Sequence, residues 1–160
     1  MGERRYPYGF FWAIVGIILI ADQWTKLWIV RDFWLGRSIE VIPNFLNWTY
    51  VRNDGVAFGM FQGNNVLMGC LVVLILGLAV WWARSLCWEM KGVNIIAGMV
   101  AGGAIGNLID RFRHGYVVDF VDVNLGFMRW PTFNVADSAI SISMVLILLF
   151  IWKGVSFVRS

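Results

Sequence analysis

"WPTFNVADSAISISMVLILLF", residues 130–150, turns abruptly from polar to apolar. From Ala139 onward the stretch is apolar enough to enter a membrane, yet Asp137 stands at its mouth. The run continues to about residue 158 and approaches the roughly 20 residues that a bilayer crossing needs. A carboxylate at such a place is costly, so it marks either function or a paired charge.

Three further runs of the same kind precede it. The expected spans are residues 9–30, 66–83, 93–109 and 136–158. Hydrophobic residues make up 59% of the chain and charged residues 14%, against roughly 45–50% and about 25% in soluble domains. Ten Trp and four Tyr suit the headgroup level, where amphipathic rings settle. A closed barrel would show alternation instead of unbroken apolar runs. The expected fold is therefore an all-α membrane bundle of four transmembrane helices, forming one integral-membrane domain over residues 1–160. A net charge of +3 without clustering excludes nucleic acid as a partner.

The start, "MGERRYPYGFFWAIVGIILIADQWTK", has the basic residues and apolar run of a signal peptide. It lacks a small-x-small cleavage site and runs on into Asp22 and Lys26, so a retained first span is expected. Cys70 and Cys87 have no metal-type spacing around them and read as structural.

An even number of spans places the ends of spans 1 and 3 and the starts of spans 2 and 4 on one side. Asp22, Lys26, Asn107, Asp110, Arg111 and Asp137 all fall toward that side, as do both long connections. Charge does not orient the bundle, because Lys and Arg number six on each side once Lys26 is set aside. In the connections, "SIEVIPNFLNWTYVRN" and "GYVVDFVDV" mix β-branched and aromatic residues as short strands do. A small sheet at the membrane surface would hold loop residues over the helix ends. "NDGVAFGMFQGNN" reads as a turn, a short apolar helix or loop, and a lead into span 2. Gly98, Gly102 and Gly106 recur every fourth residue, which lets another helix approach closely.

Asp22 and Lys26 share one helical face at i and i+4 in the favourable order, and read first as a mutually satisfied pair. Asp110 near a helix C-terminus needs a cation, and Arg111 or Arg113 is near enough in sequence to supply it. Asp119 and Asp122 lie three positions apart in a strand-like run, on opposite faces, so one of them should face the helix ends. If Asp119 does, it meets Asp137. Two carboxylates together on a partly desolvated shelf cannot both ionise easily, and such a pair suits activating water on an amide. Other chemistries lack parts: His114 is the only histidine and reads as an exposed loop residue. No G-x-S-x-G, H-E-x-x-H or P-loop occurs. Ser138, Ser141 and Ser143 read as returning hydrogen bonds to their own helix. A proton- or ion-coupled transporter using Asp22, Lys26, Asp110 and Asp137 is the competing reading, but its relay would need acids spread through the membrane depth. A lipid-phosphate enzyme or assembly factor is a third, without the His or metal motif that phosphate chemistry wants.

The stretches "ADQWTK", "VRNDGVAFG", "GGAIGNLIDR", "GYVVDF" and "FNVADS", between residues 21 and 138, resemble lipoprotein signal peptidase, or signal peptidase II. The resemblance implies an aspartyl protease of the bacterial cytoplasmic membrane, with a β-cradle at the outer surface, cytoplasmic termini and an outward-facing active side. It implies a diacylglyceryl-modified prolipoprotein substrate cut just before the lipidated cysteine. Membrane lipids are the other expected partner, no cofactor is expected, and the expected enzyme is a monomer. By motif, Asp119 and Asp137 look like the catalytic dyad. Asn53, Gly55, Asn107, Arg111 and Asn134 look like supports for substrate or dyad, and Asp22 and Lys26 match the first motif. Asp54 departs from the pattern, since an uncharged residue such as Thr is more usual there; it reads as a solvated side chain.

Overall fold

The computed structural model describes residues 8–55, 74, 77, 78, 81, 85–88 and 90–156. Span 66–83, apart from isolated positions, and the 56–65 stretch lie outside the described residues, as does Cys70. Among the described residues three helices are long and apolar enough to cross a membrane: α1 (Tyr8–Asp32), α2 (Lys91–His114) and α3 (Val135–Trp152). Between them lie strands β1 (Ser38–Ile42), β2 (Leu46–Asn53) and β3 (Val117–Val123).

The burial pattern is the reverse of a water-soluble protein's. Along α1 the large apolar residues Trp12, Ile17, Ile20, Trp24 and Leu27 face outward, while Asp22 and Lys26 are buried. Lipid accepts the first set, and the second must be satisfied inside the protein. Two helix ends differ from expectation. The last helix stops at Trp152 instead of running to 158, because Gly154 turns left-handed (φ 71°) just beyond it. The one before it extends past 109 to His114 and closes on Gly115 (φ 78°), whose N–H donates to the Arg111 carbonyl. His114 is accordingly an exposed helix-end residue, stacked on Tyr116 at 5.5 Å, and not a loop residue.

The glycines of α2 set the helix spacing. A Cβ on Gly98 or Gly102 would lie within 3.0 Å of Ile14 or Ile18, so α1 packs directly on that stripe. Gly103 is the unanticipated member. Its added Cβ would come 2.6 Å from the Ala136 carbonyl oxygen, so α3 crosses the other flank of α2. Both neighbours are drawn in by missing side chains, as in other tight membrane helix contacts.

The strands form one antiparallel sheet in the order β1-β2-β3, which agrees with the strand-like reading of both connections. Ile29 and Phe33 at the end of α1 pack against Tyr50, Val118 and Phe120, with Trp28 and Trp48 at the margin. This apolar cluster joins the sheet to the helix ends. Beyond β3 the chain turns at Gly126 (φ 83°) and doubles back, with the Trp130 N–H on the Val123 carbonyl and Phe133 opposite Val121. The return delivers Asn134, the residue before α3, to a place beside Asp119.

Candidate active site

Asn134 is fully buried and caps α3: its Oδ1 accepts from the Asp137 N–H at 2.9 Å. Asp137 Oδ2 reaches back to the Asn134 N–H at 3.4 Å, completing a reciprocal capping box. Part of the reason for a carboxylate at the mouth of an apolar helix is thus local, since an acid in the first turn meets N–H groups that lack partners. The other oxygen of Asp137 is engaged elsewhere, accepting from Asn107 Nδ2 at 2.7 Å.

The same Asn134 holds Asp119, donating from Nδ2 to Oδ1 at 2.7 Å. Asn53 donates to the second oxygen of Asp119 at 2.8 Å. One asparagine therefore touches both carboxylates, across 18 residues of chain (137 minus 119). Asp119, in β3, is 1% exposed. Burial, and after it the negative charge of Asp137, push its carboxyl up to about 7 from an ordinary 3.8, against the opposing pull of the Asn53 and Asn134 donors. Asp122 faces away from this group and is held instead by Arg129 at 2.8 Å and Thr49 at 3.0 Å. Of the two strand acids, it is Asp119 that bonds to the residue capping α3.

Beneath the acids lies a buried cluster. Lys26 Nζ is 2.8 Å from Asp22, 3.0 Å from Asp110 and 2.9 Å from Asn107 Oδ1. The Asp22–Lys26 pair anticipated from spacing is present, but it is part of a larger unit. Asp110 is not paired with Arg111 or Arg113. It takes Lys26, Gln23 Nε2 (3.0 Å) and the Val118 N–H (3.1 Å). The cause is helix geometry: Asp110 points inward toward α1, while Arg113 is exposed and lies 3.5 Å from Gln23 Oε1. Arg111 turns elsewhere and donates to the Gly55 carbonyl at 2.9 Å, and the Gly55 N–H donates to Asn53 Oδ1 at 3.1 Å. Arg111 and Gly55 thus connect to Asp119 through Asn53.

Every residue singled out as a site or support from sequence therefore belongs to one connected network. Gln23 was missed, although an uncharged amide beside Asp22 in an apolar helix was a signal. The Asn134-x-x-Asp137 spacing of the capping box was another. Ser138 and Ser143 do return hydrogen bonds to their own helix, to Asn134 and Ala139 carbonyls at 2.8 Å each. Asp54 is exposed, as its solvated reading requires. Asp54→Thr should keep at least half the parent rate in a precursor-processing assay, because no described hydrogen bond ties that side chain to either acid.

The family model for Signal peptidase (SPase) II matches residues 14–153. The chain belongs to the signal peptidase II family. Its similarity extends to a lipoprotein signal peptidase of Syntrophus aciditrophicus, 38% identical over 150 residues, covering 91% of this chain and 93% of that protein. One from Shewanella oneidensis is 39% identical over 142 residues, covering 86% and 82%. A Listeria monocytogenes relative is 36% identical, covering 89% and 93%. Among solved structures, one described as a bacterial membrane enzyme superposes with a TM-score of 0.88 at 34% identity, covering 96% of this chain and 93% of that one. This signal peptidase II family member is a multi-pass membrane protein with its polar network gathered at one end of the helices.

Proposed function

We propose that this protein is an aspartic endopeptidase that removes signal peptides from diacylglyceryl-modified prolipoproteins, cutting before the lipidated cysteine. The observation that carries the reading is the single buried asparagine, Asn134, bonded to the side chain of Asp119 and capped reciprocally with Asp137. Asp119 is the member of the pair that holds the proton below about pH 7, and Asp137 serves as the base. Asp137 takes a proton from water as its oxygen bonds to the scissile carbonyl carbon, and Asp119 donates its proton to the carbonyl oxygen. That leaves a tetrahedral diol. Asp137 then gives its new proton to the amide nitrogen while Asp119 takes one from a diol hydroxyl, so that the C–N bond breaks, the amine of the cysteine leaves, the carboxylic acid forms and the pair is left with one shared proton. Asn53, Asn107 and Asn134 hold the two acids throughout, and Arg111 and Gly55 brace Asn53.

The lipid modification explains the depth of the site. Acyl chains fix the substrate cysteine at the membrane–water boundary, and Asp137 at the opening of α3 waits at the same level. In the full reading residues 1–160 are one domain with four spans, 66–83 supplying the second. It lies in the bacterial inner membrane as a monomer, with cytoplasmic termini and the sheet and acids outward. A coupled transporter is less well supported, because Asp22 and Asp110 are already closed on Lys26.

Two measurements test this. A lipidated precursor in liposomes should be cut at the residue before its cysteine, and its unlipidated form should be left intact; equal cleavage of both would remove the lipid-specific substrate. Cleavage should also fall as pH rises through about 7, where Asp119 loses the proton it must donate. The linked stability has the same sign. A carboxyl raised above its unfolded value contributes fully below that value, and the contribution is lost as pH climbs to about 7. A rate that increased steadily from pH 6 to 9 would contradict the assignment of the proton to Asp119.

A further inference from the structure

Lys26 needs one carboxylate for neutrality but is flanked by two, and all three side chains are at least 95% buried. A surplus buried anion is expensive unless hydrogen bonds hold it. The bonds that hold these two fall at related places. Asp22 Oδ1 accepts the N–H of Ala136 at 3.0 Å, and Asp110 Oδ2 accepts the N–H of Val118 at 3.1 Å. Ala136 immediately precedes Asp137, and Val118 immediately precedes Asp119. The two grips sit on different elements, the start of α3 and strand β3, and Lys26 joins them. Gln23 Nε2 spans the same pair of carboxylates, at 3.2 Å from Asp22 and 3.0 Å from Asp110.

We propose that Asp22 and Asp110, bridged by Lys26 and Gln23, are positioning residues that set the separation of Asp119 and Asp137 by fixing the backbone just before each. The inference deepens the aspartic reading and rests on it. Neither carboxylate needs to touch substrate. The clamp acts because a shared proton and an in-line water tolerate little change in the distance between two acids, and a misplacement of about 1 Å can cost on the order of 10²-fold in rate. Lys26 adds a second link, since its bond to Asn107 Oδ1 turns the Asn107 amide so that Nδ2 faces Asp137.

The test is steady-state cleavage of a diacylglyceryl-modified precursor in detergent micelles by Asp110→Ala, Asp110→Asn and Gly106→Ala. Replacing Asp110 leaves Asp22 and Lys26 as a one-to-one pair, so the buried charge stays balanced. Asp110→Ala should lose about 10²-fold in kcat with KM within about threefold. Asp110→Asn returns an oxygen to the Val118 N–H and should recover at least a tenth of the parent kcat. Gly106→Ala keeps every charge but puts a Cβ 2.6 Å from Asp22 Oδ2, and it should lower kcat at unchanged KM even if Asp110→Ala fails to assemble. A role confined to stability would lower the folded fraction and leave kcat per folded enzyme alone. Unchanged kcat in Gly106→Ala or folded Asp110→Ala, or an Asn variant no better than Ala, would overturn the clamp. If that happens while Asp119→Asn and Asp137→Asn are inactive, the dyad stands and only the clamp falls; normal cleavage by either dyad variant removes both.

Discussion

Asp119→Asn and Asp137→Asn should each abolish cleavage of a lipidated precursor, with the protein still folded. The asparagine at 119 can offer a hydrogen bond to the scissile carbonyl but has no proton to transfer. At 137 it removes the base that the proposed mechanism uses to take a proton from water. General acid–base groups contribute about 10²–10⁴-fold each, and the double variant should be no slower than the slower single one, because the two acids act as a unit. Folding survives for a stated reason. Each amide keeps an oxygen for one of the two donors that the carboxylate serves, at 2.7–2.8 Å for the asparagine amides in the parent, and at 119 the donor lost is offset by relief of the cost of burying a carboxylate. A detergent-solubilised sample with a parent-like melting temperature and no product separates this from unfolding. Parent-like turnover by either variant would end the assignment.

Lys26→Met has the second largest expected effect, this time on stability. It leaves Asp22 and Asp110 facing each other, buried and without their cation. Breaking a buried pair by removing one partner costs about 3–5 kcal/mol, and lipid around the bundle offers no water to soften it. The melting temperature should fall sharply, by more than for any single carboxylate-to-amide change in the cluster. Adding Asp22→Asn and Asp110→Asn to Lys26→Met should restore much of the loss, because a fully neutral network avoids the stranded charges. If the single variant melts like the parent, Lys26 is not the counter-ion that these distances indicate.

The apolar runs were legible in the sequence because a bilayer demands a minimum length of uninterrupted apolar chain, which is a local property. The strands were legible for a similar reason, in the β-branched and aromatic texture of residues 38–53 and 117–123. The Asp22–Lys26 pair could be read from its i, i+4 spacing. Asp110 could not be read this way. Its neighbours in sequence suggested an arginine partner, but its inward face on α2 meets Lys26 of α1. Gly103 could not be read this way either, because the four-residue repeat of Gly98, Gly102 and Gly106 marks one flank of the helix, whereas α3 lies on the other.

By itself, then, the sequence determined a membrane-spanning protein with strands between its helices, and motifs that name a family. Only the tertiary structure decided which acids meet. Alternation along β3 allowed either Asp119 or Asp122 to face the helices. The return of residues 129–133 along β3 made the choice by carrying Asn134 to the side of Asp119. The physical reason is that pairing between distant segments depends on register, close helix approach and the satisfaction of buried charges, none of which is a property of any one stretch of chain.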